Sequence, residues 1–64
     1  MAYFVIDEDG TEKVFTTKPF RKTFPNFKIW SCDNLYNYST LPKGSIEKLL
    51  DKKLTWKDEP VYLI

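Results

Sequence analysis

Between Lys18 and Trp30 the sequence KPFRKTFPNFKIW sets Lys18, Arg21, Lys22 and Lys28 among Phe20, Phe24, Phe27 and Trp30 without a single acid. That mixture is the chemistry of a groove for single-stranded nucleic acid, where cations track phosphates and aromatic faces stack on bases. The contact set would be Lys18, Phe20, Arg21, Lys22, Lys28 and Trp30. The competing reading is a core segment whose neighbours happen to be solvated lysines. Phenylalanines in so short a chain are wanted inside, and only one of the four cations is an arginine, the residue that planar readout of phosphate and base edges favours.

A second cluster lies in NLYNYST and LTWKDE, where Tyr36, Tyr38 and Trp56 stand among asparagine, serine, threonine and charged residues. Rigid amphipathic rings in polar loops are typical of binding surfaces, and tyrosine and tryptophan are enriched at the centres of protein interfaces. Tyr36, Tyr38 and Trp56 are therefore the candidate protein interface. The plainer alternative is that they close the ends of the core.

Catalytic and metal chemistry find little to work with. The chain has no histidine, so the side chain that ordinarily titrates near neutral pH is missing, and with it the usual serine or cysteine triad. Cys32 is the single cysteine; next to Trp30 in a strand it reads as a small buried hydrophobe. The acids of DED (7–9) and DE (58–59) flank turn signals and read as solvated turn charges. DEDGTE offers Asp7, Asp9 and Glu12 as oxygen donors, but it is too short for an EF-hand loop. Gly10 and Gly44 are too far apart to build a phosphate loop. No catalytic residue, cofactor or metal is expected, no small-molecule substrate is implied, and the chain reads as a non-enzyme.

These residues must be positioned by few elements. Sixty-four residues make one domain, 1–64, near the lower limit for a single hydrophobic core. Five phenylalanines, four tyrosines and two tryptophans are the means of filling it. A lone cysteine cannot close an internal disulfide, which suits a reducing compartment. Only six uncharged residues precede Asp7, with no basic region before them, unlike a signal peptide. No apolar run approaches the length of a membrane span. The expectation is a cytoplasmic protein. Net charge is +1, unevenly spread: residues 1–12 hold four acids and no base, and residues 13–32 five bases and no acid.

YFVID and EKVFTT flank Asp9-Gly10, a hairpin signal. In the first strand Tyr3 and Val5 alternate with Phe4 and Ile6, apolar on both faces as a central strand requires. Pro19 and Pro25 make 18–26 a loop or an edge. FKIWSC is a third strand, with Phe27 and Ile29 opposite Lys28, Trp30 and Cys32. Asp33-Asn34 then reverses it into a fourth, LYNYS. SIEKLLDKK has helical spacing over 45–53, with Ser45 as cap and Ile46, Leu49, Leu50 and Leu54 as its stripe. PVYLI is a last strand. The fold class is small α+β, a mostly antiparallel sheet of three to five strands with the helix on one face; an SH3-like small β-barrel is the alternative. The expected function is a non-enzymatic accessory or regulatory module that binds a protein partner or a second copy of itself, with nucleic-acid binding through 18–30 as the alternative.

Overall fold

The first hairpin forms where Gly10 can take a positive φ of 93°. Its loop closes by Asp7 N–H donating to the Thr11 carbonyl at 2.9 Å and Gly10 N–H to the Asp7 carbonyl at 3.0 Å. The computed structural model describes residues 2–25, 27–34 and 37–63. On either side of the loop, β1 (Ala2–Ile6) and β2 (Glu12–Phe15) pair antiparallel, with Tyr3 opposite Phe15 and Val5 opposite Lys13. β6 (Val61–Leu63) pairs with the other edge of β1, and β5 (Tyr38–Leu41) with the other edge of β2. The result is an antiparallel four-stranded sheet in the order β5-β2-β1-β6. β3 (Phe20–Phe24) and β4 (Phe27–Ser31) form a separate two-stranded ribbon.

Because side chains alternate across a strand, β1 feeds two cores. Val5 packs with Phe15, Trp30 and Cys32, edged by Tyr3, Tyr38 and Trp56. Phe4 packs on the opposite face with Ile46 and Leu54, edged by Ala2, Ile6, Val14, Leu41, Leu50 and Val61. The central position expected for β1 follows from that double duty. The ribbon covers one face of the sheet, and α1 (Ser45–Leu50) covers the other. The fold is small α+β; among the described residues no barrel closes.

Four local expectations are corrected. α1 stops at Leu50 and not at residue 53, because Asp51 turns left-handed at φ 56° and donates its N–H to the Glu47 carbonyl. Ser45 does not cap: its hydroxyl donates to the Pro42 carbonyl at 2.6 Å. The N-cap is Gly44. Leu49, assigned to the buried stripe, is 58% exposed, whereas Ile46 is 1% exposed. The reversal at Asp33-Asn34 does not bring β5 back against β4 either. β5 crosses to β2, where Tyr38 stacks on Phe15 with centroids 5.2 Å apart.

Residues 20–24 are the edge that the prolines suggested. Pro19 is buried just ahead of β3 and Pro25 follows it, so neither sits at a ladder position.

Candidate functional site

The ribbon carries the basic-aromatic segment, and its register sorts that segment by face. Arg21 lies opposite Trp30, and Thr23 opposite Lys28; with alternation, these four share the inner face, toward the sheet. Phe20, Lys22, Phe24 and Ile29 share the outer face. All five residues of β3 are exposed.

Three charges from the first hairpin hold the inner face in place. Asp7 is buried; its Oδ2 pairs with Lys13 Nζ at 2.8 Å and its Oδ1 accepts the Trp30 N–H at 2.8 Å. Lys13 Nζ also donates to the Trp30 carbonyl at 3.4 Å. The Glu8 N–H donates to the Lys28 carbonyl at 3.4 Å, and its carboxylate meets Lys28 Nζ at 3.5 Å. The Trp30 indole N–H donates to the Ile6 carbonyl at 3.1 Å, and the residue is 3% exposed. Among the described residues no buried side-chain nitrogen or oxygen lacks a partner.

Arg21 closes the same face from above. Its guanidinium lies 4.5 Å from the Trp30 ring centroid and 5.4 Å from that of Trp56. It donates to the Glu59 carboxylate at 2.8 Å and to the Trp56 and Asp58 carbonyls at 3.1 Å each. Trp56 meets Trp30 edge-on at 5.7 Å.

These bonds fix which way the ribbon's backbone points. In an antiparallel pair, residues alternate between exchanging ladder bonds and pointing both groups away from the partner strand. Trp30 and Lys28 direct backbone groups to Asp7, Lys13 and Glu8, so Arg21 and Thr23, opposite them, direct their N–H and C=O groups outward on the far side. The outer edge of β4 is thus occupied by the first hairpin. For the backbone of Arg21 and Thr23 no partner is present among the described residues.

The sequence-derived nucleic-acid set is divided by this geometry. Arg21, Lys28 and Trp30 lie on the inner face with their partners there, while Lys18, Phe20 and Lys22 remain outside. Lys22 Nζ sits 5.2 Å from the Phe24 ring centroid. Among the described residues neither Lys18 nor Lys22 meets a carboxylate. Of the interface set, Tyr38 and Trp56 are half-buried at the margin of the Val5-Phe15-Trp30 core, and Tyr36 lies outside the described residues. The oxygen donors Asp7, Asp9 and Glu12 of DEDGTE diverge to three separate partners: Asp7 to Lys13, Asp9 to the Thr11 N–H at 2.9 Å, and Glu12 to the helix. The Thr11 N–H, and then its hydroxyl, hold Asp9 below the ordinary carboxylate range. Cys32 is buried, its thiol donating to the Asn34 carbonyl at 2.9 Å.

From the sequence Glu12 reads only as an oxygen donor of DEDGTE, and its role as a helix cap is missed. Its carboxylate accepts the Gly44 N–H at 2.6 Å and the Ile46 N–H at 2.8 Å, capping α1 from a neighbouring strand. The signal was present: an acid sharing its strand face with Val14 needs a buried donor. No helix of the described residues is long and apolar enough to cross a membrane. Comparison with protein-family models, with characterised proteins and with solved structures gives no significant match to this chain.

Proposed function

We propose that the chain is a non-enzymatic binding module that engages a protein partner along the β3 edge of the ribbon. The observation carrying this reading is the asymmetry of the ribbon. On β4 the outward Trp30 N–H and C=O and the Lys28 C=O are taken by Asp7, Lys13 and Glu8, while for the outward groups of Arg21 and Thr23 no partner is present among the described residues. An edge of that kind is a template for an added strand, with backbone bonds supplying affinity and alternate side chains supplying selectivity. The aromatic loop set contributes from behind: Trp56 and Tyr38 stiffen the core on which the ribbon rests.

The test uses the edge itself. Proline is tolerated on an edge strand where its missing N–H faces solvent, so Thr23→Pro removes an edge donor without touching the ladder to β4. Peptides selected from a random display library against the folded chain should bind wild type and Thr23→Ala alike and lose Thr23→Pro. Peptides that keep full affinity for Thr23→Pro would place the binding surface elsewhere.

The alternation of Phe20, Lys22 and Phe24 on one exposed face favours single-stranded nucleic acid as a second reading, through stacking. The charge count limits it. Of the segment's four cations only Lys18 and Lys22 lack a carboxylate partner among the described residues, so binding through this segment alone should give a log-log salt slope no steeper than about −1.4, from roughly −0.7 per phosphate neutralised on a single strand. A markedly steeper slope for an oligothymidylate would require Arg21 and Lys28 to leave Glu59 and Glu8, or lysines outside the segment to join the contact, and would favour nucleic acid over protein.

A further inference from the structure

The chemistry of the partner can be read from the charge and the rings that the ribbon exposes on its outer face, an inference that rests on β3 being the binding edge proposed above. Two cations of the segment are used internally, Arg21 by Glu59 and Lys28 by Glu8. Lys22 stands in the middle of the outer face with no carboxylate near it among the described residues. Two positions to either side are Phe20 and Phe24, 45% and 37% exposed. At about 3.3 Å of rise per residue the two rings project from points roughly 13 Å apart with the ammonium between them. Lys18, exposed just ahead of the strand, extends the same positive field.

We infer that this edge accepts an extended acidic peptide segment as the third strand of the ribbon, its alternate residues reading apolar, acidic, apolar. The backbone of such a segment bonds to the outward N–H and C=O groups of Arg21 and Thr23. Its central carboxylate lies across from Lys22, and the two flanking apolar side chains lie beside Phe20 and Phe24. Opposite charges facing each other across strands are stabilising and like charges are not. That rule disfavours a second copy of this chain, because antiparallel pairing centred on β3 would set Lys22 against Lys22. A nucleic acid would meet the lysines but offers no strand ladder to Arg21 and Thr23.

Three blocked seven-residue peptides test this by titration into the isotope-labelled full chain at low salt, followed by amide chemical shifts: TVTETVT, TVTKTVT and TSTETST. TVTETVT should move the Arg21 and Thr23 amides and bind at least about threefold tighter than TVTKTVT, the modest factor that one cross-strand charge pair supplies. TSTETST, without the apolar residues, should bind more weakly than TVTETVT. Lys22→Glu, an exposed change whose intact fold is checked by unchanged β1 and β2 amides, should invert the order of the first two. If TVTKTVT binds as well as TVTETVT at the same amides, the acidic partner is wrong and the edge stands. If none of the three moves the Arg21 and Thr23 amides, the edge reading falls with it.

Discussion

Asp7 holds Trp30 by the backbone: one carboxylate oxygen accepts the Trp30 N–H at 2.8 Å while the other pairs with Lys13, whose ammonium reaches the Trp30 carbonyl. A loop acid and a strand lysine therefore act as the missing neighbour strand of β4, and they join the ribbon to the sheet. Removing one member leaves the other charged, buried and alone, which costs about 3–5 kcal/mol. Asp7→Ala should unfold the domain or bring it near unfolding. Lys13→Met in the same chain should recover part of the loss, because replacing both members with apolar groups is often close to neutral. Denaturant midpoints of the two singles and the double measure the coupling; equal and additive losses would show that the pair does not act as a unit.

Glu12→Ala should cost about 1–3 kcal/mol by leaving the Gly44 and Ile46 N–H groups without their acceptor. Glu12→Gln keeps one acceptor oxygen and should fall between. If the loss is confined to α1, amide exchange at Ile46 will speed up while β1 stays protected.

The helix stripe separates two residues of similar type. Ile46→Ala should cost about 2–5 kcal/mol as a truncation in a filled core. Leu49→Ala, on the exposed side, should stay within about 0.5 kcal/mol. Thermal or urea midpoints of the two variants are sufficient, and comparable losses would put Leu49 in the core after all.

Asp51 meets two penalties at once, a left-handed backbone and a negative charge at the negative end of α1. The first is relieved by glycine, the second by any neutral residue. Asp51→Gly should gain about 0.5–1.5 kcal/mol and Asp51→Asn less, since asparagine removes only the charge. A loss in Asp51→Gly would mean that the carboxylate makes a contact worth more than both penalties together.

What the sequence disclosed and what it hid divide along contact range. The Asp9-Gly10 hairpin and the two apolar faces of β1 were legible because turn chemistry and alternation are local. The α1 stripe was legible apart from Leu49, whose spacing fits either side of a wide stripe. The partner of β5 was not, because the choice between β2 and β4 depends on Tyr38 finding Phe15 and on Asp7 and Lys13 having already claimed the edge of β4. The ribbon's composition drew attention to the right segment, but which cations were free could not be read. Arg21 finds Glu59 across 38 positions of chain, and nothing in KPFRKTF announces it.

Arg21 is the residue on which ribbon and core meet, and its substitution separates charge from shape. The guanidinium rests between Trp30 and Trp56 and donates to two carbonyls as well as to Glu59. The side chain is one-third exposed, so the aromatic contacts are worth about 0.5–1 kcal/mol and each hydrogen bond a net of roughly 0.5–1.5 kcal/mol. Water takes over the bonds that face solvent, so Arg21→Ala should cost about 1–3 kcal/mol, less than their sum. Arg21→Lys keeps the charge but not the planar fork, so it cannot satisfy Glu59 and both carbonyls together. It should lose most of the same amount. Glu59→Ala should cost less than about 1 kcal/mol, because the pair is exposed and water replaces the carboxylate. Tryptophan emission provides a readout apart from stability: Arg21→Ala should red-shift it as water reaches Trp56, while Glu59→Ala leaves it in place. If Arg21→Lys matches wild type in both stability and emission, the positive charge alone is sufficient and the stacked, forked arrangement contributes nothing.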